Sequence, residues 1–453
     1  MRRQIACPIF EEHASVLAHW VRRRASDRTL ICLDAHLDLQ VISHVRLDRL
    51  RDCQNADEVA SFMKPHHLWP DECVRLGRQY SYGIEDFLYA ASYLGIIRRL
   101  IWVAPPHVPI LDPQTAIAQL QQSDAITAND LKSLRLVSAS SNMASWIEAK
   151  LYGLEILICR SESLPFLEIE SDALVDIDID YFVELPSEEI GSPVEATADL
   201  LMNLNLSFDE VTVSRSVHSG YTPHRHAVIA ERLAHRFANA QANPDQPIRS
   251  DRHDDRDDPL RLACRHSARG MSVNRESLAG LVANHQELLD NLQNPKTGLL
   301  HAAIGLLACQ IDDLDVAITS YFAAREVLGG HPELALEIAK LCLRFARWDE
   351  AEQYFRDAFA DDKTRTAAHY YLGYLHVRRS VETPDAARLK TAREQLLAAH
   401  QAAPVWPEVM ALLAQVETML GDSAAAGRRQ EELRALEQIH CDILEQMKAG
   451  DHG

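Results

Sequence analysis

The stretch Leu33-Asp34-Ala35-His36-Leu37-Asp38 directly follows the apolar run Thr29-Leu30-Ile31-Cys32-Leu33. Residues two apart on an extended chain point to the same side. Asp34, His36 and Asp38 can therefore converge on one point at the carboxyl end of a strand. Oxygen ligands with one imidazole suit a hard or borderline divalent cation such as Mn2+ better than a thiolate-seeking one. The plain alternative is a polar turn at a strand end.

A second stretch, Asp176-Ile177-Asp178-Ile179-Asp180-Tyr181-Phe182, follows Leu174-Val175 and again alternates carboxylate with aliphatic. Carboxylates in a row on one side of a buried strand repel and cannot all ionise without a cation. An exposed edge strand with a charged face is the competing reading. The flanking Leu174, Val175, Tyr181 and Phe182 favour burial. Two Asp-rich strand ends point to a shared metal centre in which carboxylates bridge two ions. His13, in Phe10-Glu11-Glu12-His13 at the end of the first apolar run, belongs to the same sheet edge; taken alone it reads as a surface or capping residue.

Working outward, short apolar runs at 5–10, 30–33, 100–103, 134–137, 154–159, 174–179 and 211–217 alternate with helical patterns at 14–24, 85–94, 145–151 and 227–237. This alternation predicts an α/β three-layer domain with a mainly parallel sheet over residues 1–238. Ligands in such sheets collect beyond the carboxyl ends of the strands. Residues 239–275 read as a polar linker, with Asn243-Pro244-Asp245 leading into Ser250-Asp251-Arg252-His253-Asp254-Asp255. Mixed Arg and Asp without apolar support is tether chemistry rather than a metal cluster.

From about residue 276 to 453 the pattern is all-α with an internal period of 34 residues. Ile304-Gly305, Ala317, Tyr321 and Ala324 recur as Ile338-Ala339, Ala351, Phe355 and Ala358. A third copy has Leu372-Gly373, Ala392, Leu396 and Ala399 after a longer loop containing Glu382-Thr383-Pro384, and a weaker fourth has Leu413-Ala414 and Ala426. The pattern resembles the tetratricopeptide repeat, a helical solenoid that presents a concave surface to a peptide or protein. Each of these small and aromatic residues reads as core packing.

The chain has 453 residues, 47% of them hydrophobic, and a formal net charge of -20. The acidity argues against nucleic acid as a partner and suits a cationic substrate, although solubility alone explains it equally. The nine cysteines are scattered, with no Cys-x-x-Cys pair, which suits a reducing cytoplasmic setting. No secretory segment is recognisable, and no stretch approaches the ~20 apolar residues of a membrane span.

With His13, Asp34-Ala35-His36-Leu37-Asp38 and Asp178-Ile179-Asp180 in view, the first domain resembles the ureohydrolase (arginase-deacetylase) superfamily. That superfamily carries Asp-His-Ser, Asp-Ala-His-x-Asp and Ser-Phe-Asp-Val-Asp blocks in this order. Gly83-Ile84-Glu85-Asp86-Phe87-Leu88-Tyr89, Ile101-Trp102-Val103-Ala104-Pro105 and Ser216-Val217-His218-Ser219-Gly220-Tyr221-Thr222-Pro223 further resemble its peptide arginases of ribosomal natural-product biosynthesis. The resemblance covers about residues 4–238 and leaves out the repeats.

The resemblance implies an arginase-like fold and two Mn2+ ions. One would take His13, Asp34, Asp38 and Asp178; the other would take Asp34, His36, Asp178 and Asp180. The register leaves open whether Asp176 replaces Asp178 or Asp180. It implies hydrolysis of peptidyl arginine to ornithine and urea, with an arginine-containing peptide as substrate. The repeats would hold a protein or leader-peptide partner. The segment by which arginases grip free arginine has no clear counterpart. Glu85 and Asp86 are candidates for binding the guanidinium, against a plain role as acids at a helix N-terminus. His44, His66, His67 and His218 compete for proton transfer to the leaving amine, and Tyr221 is a candidate substrate-lining residue. A single-Zn2+ deacetylase, which would leave His13, Asp38 and Asp180 idle, and a non-catalytic repeat scaffold are the alternatives.

Overall fold

The structure is a computed structural model that describes residues 5–64, 79–108, 117–118, 120–139, 144–184, 189–204, 206–217, 219, 221–238, 275–291 and 295–450. The strands are β1 (Ile9–Phe10), β2 (Arg28–Leu33), β3 (Ile97–Val103), β4 (Arg135–Ser138), β5 (Ser145–Leu151), β6 (Leu154–Cys159), β7 (Leu174–Asp178), β8 (Val183–Glu184), β9 (Glu189–Ile190) and β10 (Thr212–Ser214). Eight of them form one sheet in the order β1-β10-β7-β2-β3-β6-β5-β4, while β8 and β9 pair separately. The contacts from β1 through β6 in that order are parallel. The central strands β2 and β3 carry continuous apolar runs, Leu30–Leu33 and Leu100–Val103, because both faces of the sheet are covered there.

One face packs on the helices Val16–Arg22, His44–Arg51 and Phe87–Tyr93 through Leu17, Trp20, Leu47, Phe87 and Leu88. The other packs on Val194–Asn203 and Val228–Ala238 through Val194, Leu201, Ile229 and Leu233. The sheet is thus the middle of three layers, as the alternating pattern predicts.

One expectation is corrected. Residues 145–151 form a strand, β5, not a helix; it runs antiparallel to both β6 and β4. Tyr152 and Gly153 have φ of 55° and 82° between the paired Leu151 and Leu154. Two successive positive φ values are the requirement of a two-residue hairpin whose twist matches the flanking strands. Trp146, Ile147 and Leu151 are buried in the sheet, and this cross-strand packing overrides a helical reading of so short a segment.

The C-terminal region is a tetratricopeptide-like array of helix pairs: Pro295–Gln310 with Leu314–Leu328, Pro332–Arg344 with Trp348–Asp357, Asp362–Glu382 with Ala386–Ala402, and Pro407–Met419 with Ser423–Gly450. The repeat signature marks where paired helices approach most closely. A Cβ placed on Gly305 would stand 2.7 Å from Tyr321 Cδ1, and one on Gly373 would stand 2.6 Å from Leu396 Cγ. The longer loop expected around Glu382-Thr383-Pro384 is corrected: the turn is residues 383–385, as short as in the other pairs, and the extra residues extend the first helix to Glu382, so the third copy keeps its register. Gly373→Ala gains about 1 kcal/mol in helix propensity but forces apart a close contact that includes the Ala392 carbonyl, 3.3 Å away. Overpacking is the larger effect, so a net loss of about 1–2 kcal/mol is expected in urea unfolding.

The array does not hang free of the sheet domain. Val405, just before the last helix pair, and Met410, Leu436, Ile439 and Ile443 within that pair lie in one apolar cluster with Leu131, Ile147, Leu151 and Trp20. The final helix packs against edge strand β4 and the helix Ala128–Lys132. The amide of Ala125 donates to the Ala402 carbonyl at 2.7 Å. The tether itself, residues 239–274, lies outside the described residues. No described helix is long and apolar enough to cross a membrane.

Candidate metal centre

The neighbouring strands β1, β10, β7 and β2 deliver the acidic motifs to one edge. Cys32 of β2 lies beside Asp176 of β7, and Asp178 lies beside Ser214 of β10, which in turn pairs with Phe10 of β1. The chain then turns into the loops bearing His13, Asp34 and Ser216. His13, Asp34, Asp176, Asp178 and Asp180 are all buried. The strand of β7 ends at Asp178. Asp180 stands in a following 3-10 turn, whose start Asp178 caps by accepting the Asp180 amide at 3.3 Å.

His13 sits at the centre. Its Nδ1 is 3.2 Å from both Asp34 Oδ2 and Asp38 Oδ2 and 3.3 Å from Asp178 Oδ2. Its Nε2 is 2.6 Å from Asp176 Oδ2. His36 Nδ1 is 2.8 Å from Asp180 Oδ2 and 3.8 Å from Asp34 Oδ1. The structure thus gathers His13, Asp34, Asp38 and Asp178 on one side and Asp34, His36 and Asp180 on the other. His13-Asp34-Asp178 and Asp34-His36-Asp180 each place their ligand atoms within 4.8 Å of one another.

Asp176 takes a place that spacing alone leaves open. It lies behind His13, on the ring nitrogen facing away from the other carboxylates, and accepts from Thr212 Oγ1. A carboxylate there fixes the tautomer and orientation of the imidazole and raises its basicity. Asp176→Asn keeps the shape but loses the charge. It is expected to weaken Mn2+ affinity 10- to 100-fold while the ligands remain, which titration calorimetry would measure.

The electrostatics follow from crowding. Burial pushes the Asp34 and Asp178 carboxyls well above the usual range, with the Asp180 charge adding to it; burial also raises Asp38. Burial opposes charging His13, but Asp176, Asp178 and Asp34 outweigh it and hold its pKa well above the ordinary value. His36 is likewise opposed by burial, yet Asp180 and Asp34 push it up to about 10. Burial raises Asp180, but His36 and the Ala35 amide outweigh it, so its carboxyl falls below the usual value. Asp34 Oδ2 is buried and poorly satisfied: the donor beside it, His13 Nδ1 at 3.2 Å, is shared with Asp38 and Asp178. Buried carboxylates are stable when paired or when they coordinate a cation. This poorly satisfied oxygen, with the oxygen-rich donor set around it, fits a divalent metal.

Other residues support the cluster. The amide of His36 donates to Asp34 Oδ1 at 2.7 Å, that of Ala35 to Asp180 Oδ1 at 3.2 Å, and Trp102 Nε1 to the Asp34 carbonyl at 3.0 Å. Ser216, held at φ 49°, donates its hydroxyl to Asp178 Oδ2 at 2.5 Å. Nothing in the sequence marks Trp102 or Ser216 for these tasks, because a second layer is visible only when strands are neighbours. The same holds for His107, after β3. Burial lowers the pKa of His107, whose charged neighbours include Glu184, Asp180, Arg160 and His36. The Arg160 guanidinium donates to the Ala104, Pro105 and Val108 carbonyls and so holds that loop.

The remaining candidates fall differently. Tyr221 meets the His36 ring edge-on at 4.9 Å, and the His36 side chain is 41% exposed. His44 is exposed at the first position of the helix His44–Arg51 and is not among the residues gathered at the cluster. His66, His67 and His218 lie outside the described residues. Glu85 and Asp86 already have cations of their own. Arg46 Nη2 donates to Asp86 Oδ2 at 2.7 Å, and Asp86 Oδ1 accepts the Gly83 amide at 2.6 Å. Glu85 pairs with Lys363 at 3.1 Å and Lys64 at 3.7 Å. The structure thus gives both acids a structural task in place of the expected guanidinium-binding one.

No protein-family model matches the chain, and no curated protein matches it. Among solved structures, one of MamA is similar over 38% of this chain and 99% of its own, at 14% identity and a TM-score of 0.32. The MamA RS-1 ArsTM double mutant is similar over 36% of this chain and 84% of its own, at 15% identity and a TM-score of 0.31. The APC/C hetero-tetramer Cut9-Hcn1 is similar over 49% and 38%, at 13% identity and a TM-score of 0.30. Likeness at this level carries no functional argument. The class assigned here, an α/β sheet domain with a buried acidic cluster joined to a helical repeat array, rests on the elements described above.

Proposed function

We propose that the chain is a metal-dependent hydrolase of the ureohydrolase kind, acting on arginine side chains within peptides. The observation that carries the reading is the position of His13 Nδ1, 3.2–3.3 Å from the buried Asp34 and Asp178 carboxylates and the part-buried Asp38, beside the His36–Asp180 pair. One Mn2+ would be held by His13, Asp34, Asp38 and Asp178 and a second by Asp34, His36, Asp178 and Asp180. When bound, such a pair lowers the pKa of water and stabilises negative charge developing at the attacked centre. Asp34, which belongs to both ligand groups, would be shared between the two sites. Asp176 keeps His13 in one tautomer, and Ser216 orients Asp178. Tyr221 flanks the partly exposed His36, where a side chain entering from solvent would pass.

Arginine as substrate is supported by the motif resemblance and by the acidic balance of the chain. The helical array is suited to holding the rest of a peptide or a protein partner. The products would be ornithine within the peptide and free urea. The full chain, supplied with Mn2+ and a panel of arginine-containing peptides, is expected to release urea and to lower peptide mass by one CH2N2 per converted arginine. Binding of about two ions per chain fits this reading, whereas about one would favour single-metal amide hydrolysis. No metal uptake, or two ions with no urea from any peptide of the panel, would overturn it.

A further inference from the structure

The helical array meets the segment that backs Asp38 through a charged contact. Lys363 stands in the first turn of the helix Asp362–Glu382, with Nζ 3.1 Å from Glu85 Oε2. Lys64, from the sheet domain, approaches the other oxygen of the same carboxylate at 3.7 Å. Lys363 and Glu85 are only 23% and 24% exposed, so the pair is less screened than a surface one. Glu85 is also tied through its backbone. Its carbonyl accepts the Gln40 amide at 3.0 Å, and two bonds further along the same seam the Leu88 amide donates to the Asp38 carbonyl at 3.2 Å. Residues 38–40 are therefore laced to residues 85–88, and Asp38 carries its carboxylate to within 3.2 Å of His13 Nδ1.

We propose that Lys363 is a positioning residue: by gripping Glu85 from the helical array, it sets the backbone that presents Asp38 to the cation site formed with His13, Asp34 and Asp178. The array then acts on the centre through Glu85 as well as offering a surface for partners. This inference rests on the metal reading above. The other end of the same loop is held independently by Arg46 on Asp86 and by Asp86 on the Gly83 amide. Loss of Lys363 thus removes one tie without releasing the loop. The expected effect lies at the low end of that for residues behind metal ligands, about tenfold in affinity.

The test titrates the full chain with Mn2+ alone by calorimetry. Lys363→Met is expected to bind two ions still, one of them about tenfold more weakly and the other as in the parent protein. Lys363→Arg, which restores the cation, is expected to recover most of the loss. Thr366→Val removes a different bond across the same boundary, from Thr366 Oγ1 to Asp124 Oδ2 at 3.0 Å, and is expected to leave both affinities unchanged. If Lys363→Met does not fold, Glu85→Gln carries the same comparison from the other partner. Unchanged Mn2+ binding in Lys363→Met, or an equal loss in Thr366→Val, overturns the inference and leaves the metal reading standing. A parent protein that takes up no Mn2+ overturns the metal reading itself.

Discussion

Asp34→Asn is expected to abolish Mn2+ uptake while leaving the metal-free protein as stable as before, or more so. Asp34 belongs to both ligand groups of the cluster, so a neutral amide at this position removes a bridging charge from each. At an Mn2+ concentration of 100 times its dissociation constant, the parent chain gains about 2.7 kcal/mol from each bound ion. The variant is expected to gain none. Without metal the sign reverses. Burial and the neighbouring Asp180 charge hold the Asp34 carboxyl well above its usual range, so the fold works against its ionisation at neutral pH. Asparagine removes that cost, so the metal-free variant is expected to melt at or above the temperature of the parent. Thermal melts with and without Mn2+ measure both arms. A metal-free variant that melts well below the parent would show that Asp34 serves the fold rather than a site.

The second large effect concerns the array. A chain ending at residue 238 would leave uncovered the apolar surface that Val405, Met410, Leu436, Ile439 and Ile443 share with Leu131, Ile147 and Leu151. At about 1.5–3 kcal/mol per large buried side chain, five such residues contribute roughly 7–15 kcal/mol. That is comparable with the whole stability of a typical domain, about 5–15 kcal/mol. The shortened chain is therefore expected to lose cooperative unfolding and to bind a hydrophobic dye. A soluble fragment with a sharp melt near that of the full chain would contradict the shared core. On a smaller scale, Met410→Ala in the full chain is expected to cost about 2–5 kcal/mol, and to lower the stability of both regions together.

Much of the gathering at the sheet edge was legible beforehand because it rests on local periodicity. Asp34, His36 and Asp38 follow a strand at a spacing of two. Asp178 ends another and Asp180 stands two residues on in the turn that follows, and both strands are aliphatic enough to be buried. The array was legible for a related reason: a period of 34 repeats the close approach that Gly305 and Tyr321 make in one copy and Gly373 and Leu396 make in another. Residues 145–151 were misread because seven residues do not separate a buried strand from a helix by pattern alone. The Tyr152-Gly153 turn was the signal available.

What the amino-acid order determined by itself is the set of short-range patterns: which segments are apolar, where the carboxylates stand along them, and how the repeats recur. The placing of Asp176 behind His13, of Ser216 on Asp178, and of Lys363 on Glu85 was decided only in three dimensions. Each of these contacts joins residues far apart in the chain. It exists because β10 inserts beside β7, or because the last helix pairs fold back on the sheet domain. Periodicity reports which face a side chain takes, whereas the strand order and the docking of the array decide what that face meets.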